Sequence, residues 1–452
     1  LVNGDFKVDF NTPEGIFPFI DRLTPAMNEI KLEMDSMRVN IPVLSEIIPR
    51  FTVMAEMGSN NLVGDILDES DIDIRRALFT LANDSLISST LLVQGISSGT
   101  TRIDTINFSA LQHGEYLILR GMMRNRPGTF DDFASVNLNG FAGANRASLF
   151  FTQKNIKGET GFNLGFNASI DKDSIVTVKL VPLKPTIAYK PWYINPDNFV
   201  SFDLASQHLD ADLILKGDGS QIKLYTIHDP AHVDSLGKHI PHRELEPDPV
   251  KIEITNLRIQ DWLAINPFAP PIKGDLSADL KLAYIDKVLS GQGSVSLDDL
   301  YYGKERVGTF DLDLDVHNTP QGTIMADVAL MVDSVKTITA SGVVNDSTLA
   351  TPFLLDFKMI RFPLQVANPF LPPGTGRLSG TLNGNMKITG TPAKPEFSGE
   401  ISFDSAAVKV DILGTTFKLS DKSIPVDSNI VMFDNFTILG CNKNPLSLSG
   451  SV

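Results

Sequence analysis

Residues 266–280 read NPFAPPIKGDLSADL, and residues 368–382 read NPFLPPGTGRLSGTL. Asn266, Pro267, Phe268, Pro270, Pro271, Gly274, Leu276, Ser277 and Leu280 return as Asn368, Pro369, Phe370, Pro372, Pro373, Gly376, Leu378, Ser379 and Leu382, an offset of 368 − 266 = 102 residues. After a small insertion, Gly293, Ser296, Asp298, Gly308 and Thr309 return as Gly399, Ser402, Asp404, Gly414 and Thr415, with an offset of 399 − 293 = 106. Two segments recurring in the same order mark an internal repeat, and a repeat of this length predicts supersecondary units stacked on one another. Each unit opens on an apolar, weakly helical stretch, IQDWLAINPF at 259–268 and RFPLQVANPF at 361–370. A Pro-Pro turn follows, because proline fixes φ and can continue neither a helix nor a ladder. Alternating strands come next, with glycine at their bends. Single residues here read as packing positions; a function would belong to the array, whose strands together make one long surface.

The clearest strand lies just beyond the first copy, at TFDLDLDVH (309–317). Phe310, Leu312, Leu314 and Val316 fall on one face, and Asp311, Asp313 and Asp315 on the other. Three carboxylates in a row suggest calcium or catalysis. On a strand, however, they stand about 7 Å apart, too far to share one ion closely. Charges on a wet face also discourage edge pairing, and that is the reading adopted.

The remaining chain is mostly of period two. Residues 1–12 alternate, and runs such as YLILRGMM (116–123), GFNLGFNASI (161–170), SIVTVKLVPL (174–183) and ADLILKG (211–217) predict sheet with one buried and one wet face. Residues 13–30 predict a helix, with Ile16, Phe17, Phe19, Ile20, Leu23, Met27 and Ile30 at spacings of three and four on one face, although Pro18 and Pro25 disturb it. A short amphipathic piece lies at 41–51, a degenerate third copy of the unit is expected to start near residue 37, and 72–83 is a further helix candidate. No helix longer than about four turns is expected. Trp192 and Tyr193, set between prolines, read as a packed connection rather than a ligand contact.

Composition narrows the function. The chain has 452 residues, a net charge of −15 and a pI near 4.9, with no basic stripe. Nucleic acid requires clustered Lys and Arg, so it is not an expected partner. Adhesion to anionic head groups by charge alone is disfavoured as well. Cys441 is the single cysteine, so no disulfide forms within the chain and no zinc site can be built on thiolates. The sequence starts at Leu1 and stops in mid-pattern at LSLSGSV, which reads as an internal fragment of a longer protein. His228, His232, His239 and His242 cluster in a Pro-rich, charged stretch. They lack the spacing of a helical metal motif, and no metal site is expected. There is no GxSxG elbow, Walker loop, dinucleotide fingerprint or zincin helix. Neither catalysis nor a cofactor is therefore expected.

The last 200 or so residues resemble the TamB family of bacterial envelope proteins. The resemblance rests on GRLSGTLNGNMKITGTPAKPEFSGEISFDSAAVKV (376–410), GTTFKLSDKSIPVDSNIVMFDNFTI (414–438) and NPLSLSGSV (444–452). Gly376, Gly380, Gly384, Gly390, Thr391, Pro395, Phe397, Gly399, Phe433, Asp434, Phe436, Leu446, Leu448 and Gly450 occupy the pattern's positions. LVPLKPTIAYKPWYINPDNFVSFD is similar to the form this family takes in Bacteroidota. At Leu439-Gly440-Cys441 the chain departs from the pattern, where an aspartate commonly follows the strand. The resemblance implies an all-β fold: an elongated sheet curled into a half-open groove, a "β-taco" with an apolar interior and a few short amphipathic helices. It implies a periplasmic protein anchored in the inner membrane, with a TamA- or BamA-like outer-membrane barrel partner. Its cargo would be phospholipid acyl chains carried between the membranes. The alternative is a chaperone-like scaffold that supports outer-membrane protein assembly and secretion by β-augmentation.

The expected organisation is a β-rich segment over 1–250, one repeat unit over 251–360 and a second over 361–452. The expected groove lining is Phe310, Leu312, Leu314 and Val316, followed by Leu378, Leu382, Met386, Ile388, Phe397, Ile401 and Phe403.

Overall fold

The computed structural model describes residues 2–36, 40–98, 101–125, 134–228, 248–264, 269–285, 288–319, 323–345, 353–372, 374–391, 394–440 and 444–452. Strands hold 67% of the described residues and helices 12%, so the fold is all-β. The chain divides into two compact units, residues 1–218 with 264–268, and residues 219–263 with 269–452.

The first unit is a meander of antiparallel strands. Phe6–Asn11, Phe51–Met57, Asp73–Asn83, Ile87–Ser98, Thr101–His113, Tyr116–Arg124, Ser135–Gly143, Arg146–Lys154, Thr160–Ile170 and Ile175–Ile187 pair in succession. The stretch 72–83, a helix candidate, is instead the strand Asp73–Asn83. Its Ala77, Phe79 and Leu81 stand opposite Val93, Leu91 and Ser89, while Leu78 stands opposite Leu92 on the other face. Apolar residues on both faces blur the period of two, and cross-strand pairing overrides the helix propensity of Arg-Arg-Ala-Leu.

The helix expected over 13–30 is Ile16–Ser36. With 21 residues it runs to about six turns, longer than expected. Pro18 lies in the first turn, where backbone N–H groups have no helical partner in any case. Pro25 is inside the helix and removes one bond without ending it. Packing compensates: the Phe19 ring stands edge-on to Phe10 at 5.0 Å and to Phe51 at 5.6 Å, and Ala26 is buried. A second helix, Ile41–Ile47, is capped by the Asn40 side chain, and Asn83 Nδ2 donates to the Ser45 and Ile48 carbonyls behind it. Trp192 is buried against Gly217, as a packed connection requires, whereas Tyr193 is exposed.

The second unit carries the repeat. Its strands Ser220–Thr226, Val250–Arg258, Ile272–Ile285, Val288–Tyr302, Glu305–Asn318, Ile324–Val332, Val335–Asn345, Leu354–Pro363, Arg377–Thr391 and Lys394–Val410 also pair in succession. The two copies share backbone details. Left-handed Asn256 and Arg361, with φ of 49° and 51°, sit at register shifts just before the helical turns Ile259–Leu263 and Leu364–Phe370. Gly293 and Gly399 have φ of 148° and 150°, and left-handed Asp299 and Ser405 form matching bulges at the 106-residue offset. In the second copy Asn368 acts as a clamp: Oδ1 accepts from the Leu378 N–H at 2.6 Å, and Nδ2 donates to its carbonyl at 3.0 Å. Asn266, Pro267, Phe268 and Pro373 of the motif lie outside the described residues, as does residue 37, where a third copy was expected to start.

Candidate functional site

The register of the second unit determines what its two faces present. In an antiparallel ladder, directly opposed residues send their side chains to the same side. Reading partner by partner gives one row: Leu224, Ile252, Leu280, Gly293, Leu314, Val328, Ala340, Phe357, Met386, Gly399, Val426, Val431. Twelve strands contribute, and no polar side chain interrupts the row. It extends about 53 Å along the sheet at about 4.8 Å per strand. A second row runs beside it from Ile254 through Ala278, Val295, Leu312, Leu330, Ile338, Met359, Gly384 and Ile401 to Ile424. A third runs from Leu282 through Gly291, Val316, Ala326, Gly342, Leu355 and Ile388 to Phe397.

The residues between these rows point the other way and are of opposite character. Lys223, Glu253, Asp279, Ser294, Asp313, Ala329, Thr339, Lys358, Asn385 and Glu400 form one such row. Charges pair across it. Glu253 accepts from Lys223 at 2.7 Å and from the Tyr225 hydroxyl at 2.9 Å, and Lys251 bonds Asp279. The Lys223 ammonium, followed by the Tyr225 hydroxyl, holds the Glu253 carboxyl below its ordinary range, and the same contact raises Lys223. Asp313 and Asp315 are exposed on this face, and Asp315 bonds His317 at 3.0 Å.

Of the residues expected to line a groove, Leu314 and Met386 fall in the first apolar row, Leu312 and Ile401 in the second, and Val316, Ile388 and Phe397 in the third. Phe310 stands between Leu297 and Val332, Leu382 between Phe362 and Phe403, and Leu378 opposite Val408 beyond the Ser405 bulge. The sequence reading missed most of the surface, including Ile252, Leu280, Val295, Val328 and Phe357. Each of these also alternates with polar neighbours, but register alone shows that the alternations coincide. Nearly all these side chains are half-buried; in a closed two-layer core they would be sealed from solvent. Ala326, Ile388, Ile424 and Val426 are exceptions and are buried.

The first unit has a comparable row of Val8, Ala55, Phe79, Leu91, Phe108, Gly121, Leu138, Phe151 and Leu164, again half-buried.

Among the described residues no group of three or more His, Cys, Asp or Glu side chains could hold a metal ion. His228 bonds Asp248 at 3.2 Å. His232, His239, His242 and Cys441 lie outside the described residues. Among the described residues no helix is long and apolar enough to cross a membrane. No protein-family model matches the chain, and no curated protein or solved structure matches it.

Proposed function

We propose that the chain is a lipid-carrying β-sheet of the kind that TamB-like proteins are expected to form. On this reading its apolar face shields phospholipid acyl chains between the inner and outer membranes, in the periplasm, with a barrel protein of the outer membrane as partner. The observation that carries the reading is the row from Leu224 to Val431: a long apolar surface that remains half-open to solvent. Such a face does chemically useful work without a catalytic group. Shielding a methylene from water is worth about 0.8 kcal/mol, so a sixteen-carbon chain lying on it gains roughly 12 kcal/mol over water. No single point on the row is special, which suits sliding better than capture. The polar face, with its cross-strand ion pairs, keeps the sheet in water and discourages stacking of one sheet on another.

Native mass spectrometry of the purified protein, with extraction and identification of bound lipid, is the test. Phospholipid retained by the wild type and lost on Val328→Asp supports the proposal. Lipid-free protein that instead retains unfolded outer-membrane strands would favour the chaperone-like scaffold.

A further inference from the structure

The helix Ile16–Ser36 buries one side and leaves another uncovered. The buried side carries Phe19, set against Phe10 and Phe51, together with Ala26 and Glu33. At 100° per residue, Leu23, Ile16, Met27, Ile20 and Phe17 lie next to it on an arc of about 120°. All five are exposed, Phe17 at 78% and Ile20 at 52%. Thr24 and Lys31 also lie on the arc, and a lysine there can lay its stem along apolar surface with its ammonium in water.

Two observations say what fits this arc. The first is continuity. Phe10 and Phe51 belong to the apolar face of the first unit, since Phe10 pairs with Val53, one alternation from the Val8–Ala55 pair, and Phe51 alternates with Val53 on its own strand. Phe19 stands against both rings, so the uncovered arc extends that face sideways. The second is breadth and charge. A coiled-coil seam is narrower than this arc, and the breadth suits an interface helix better. The helix has no basic fringe: Arg22 is engaged by Glu14 at 2.7 Å and by the Glu46 carbonyl at 3.1 Å. In its sequence Asp21, Glu29, Glu33 and Asp35 outnumber Arg22 and Lys31. Attraction to anionic head groups is therefore absent, and the surface it fits is uncharged overall.

We propose that this arc docks on the surface of a zwitterionic phospholipid bilayer and joins that surface to the apolar face of the first unit. The proposal rests on the lipid-carrying reading, since the helix would be where acyl chains leave the bilayer for the sheet. Apolar residues at the rim of the head groups supply the adhesion, so it should be insensitive to salt.

The test uses the whole chain, phosphatidylcholine vesicles with and without phosphatidylglycerol, and the variants Phe17→Glu and Ile20→Glu. Both positions are exposed, so circular dichroism and melting should match the wild type. Flotation should show the wild type on pure phosphatidylcholine vesicles, undiminished at high salt, with at least a tenfold loss of bound fraction in each variant. Uptake of a fluorescent phospholipid delivered from detergent should be equal in all three proteins, because it bypasses docking. Variants that float as well as the wild type overturn the docking inference and leave the lipid-carrying reading intact. Flotation only on phosphatidylglycerol vesicles, abolished by salt, also overturns it. So does a wild type that does not float but sediments as a dimer dispersed by Ile20→Glu, which would assign the arc to a second copy of the chain. Failure of all three proteins to take up lipid from detergent, with docking intact, would refute the lipid-carrying reading instead.

Discussion

Arg377 Nη2 donates to Glu305 Oε1 at 2.8 Å, although three strands separate their own strands in the ladder. In a flat sheet those strands would stand four spacings apart, about 19 Å, beyond the reach of the two side chains. Their ends therefore converge beyond the tip of the hairpin formed by Ile324–Val332 and Val335–Asn345. The Phe370 ring meets Tyr302 at 5.1 Å in the same place. Phe370, from the second copy of the Asn-Pro-Phe motif, thus packs where the strand ends converge.

Both members of that ion pair are well exposed, so its coupling energy should be small. A double-mutant cycle on Arg377→Ala and Glu305→Ala should give about 0.5 kcal/mol, falling in high salt. Phe370→Ala should cost about 1 kcal/mol through the lost ring contact. Thermal melts of the four proteins of the cycle and of Phe370→Ala measure both. A coupling several times larger would mean that the charges, not the rings, hold the converging strand ends.

Gly293 and Gly399 offer a sharper test of the repeat. A Cβ on Gly293 would lie 2.0 Å from the Asp279 carbonyl oxygen, and one on Gly399 2.2 Å from that of Asn385. Both φ values are positive and open to glycine alone. Gly293→Ala and Gly399→Ala should each cost about 3 kcal/mol. Gly303→Ala has free space around its Cβ and should cost about 1 kcal/mol. Urea midpoints decide the ranking.

These glycines were legible as repeated letters, but their conformation was not. Alternation identified the strand Glu305–Asn318 and the face of Leu312 and Leu314, because on that strand charge and hydrocarbon alternate without a break. It failed at Asp73–Asn83, where Leu78 and Phe79 are both apolar and point opposite ways. Helical periodicity identified Ile16–Ser36 but understated its length: the helix continues six residues past Ile30, and the Phe19 contacts with Phe10 and Phe51 hold its first turns ahead of Pro25. The unbroken row across twelve strands depends on register. Register is set between segments far apart in the sequence and is invisible within any one of them.

Glu253 makes stability depend on pH. Lys223 and Tyr225 lower its pKa in the fold from the ordinary 4.5. A depressed carboxylate stabilises the fold above its unfolded pKa, and that contribution is lost as pH falls through the folded value. The melting temperature of wild type should exceed that of Glu253→Gln at pH 7, and the gap should close on acidification below 4.5. A gap that widened there would reverse the sign and disprove the assignment. Lys223→Met should remove most of the pH dependence, because Lys223 is the larger cause.

The apolar face predicts different outcomes for Leu314→Asp and Ile388→Glu. Leu314 is half-buried, so a carboxylate there keeps contact with water; the variant should fold, with stability reduced by about 1–2 kcal/mol. Ile388 is 9% exposed between Leu355 and Phe397, and a charge there is cut off from solvent. Ile388→Glu should cost several kcal/mol and loosen the last strands. Folding separates an open face from a closed core, and lipid contact separates a conduit from an inert open face. A photoreactive side chain at Val328, directly opposite Leu314, should crosslink phospholipid in otherwise wild-type protein. Leu314→Asp should abolish that crosslink while the fold persists, since the charge interrupts the path for an acyl chain at that row. Conversely, Asp313→Asn, on the polar face of the same strand, should leave the crosslink unchanged. Unfolding of Leu314→Asp would make the face a sealed core, and a crosslink that survives in the folded variant would remove the acyl path from this row.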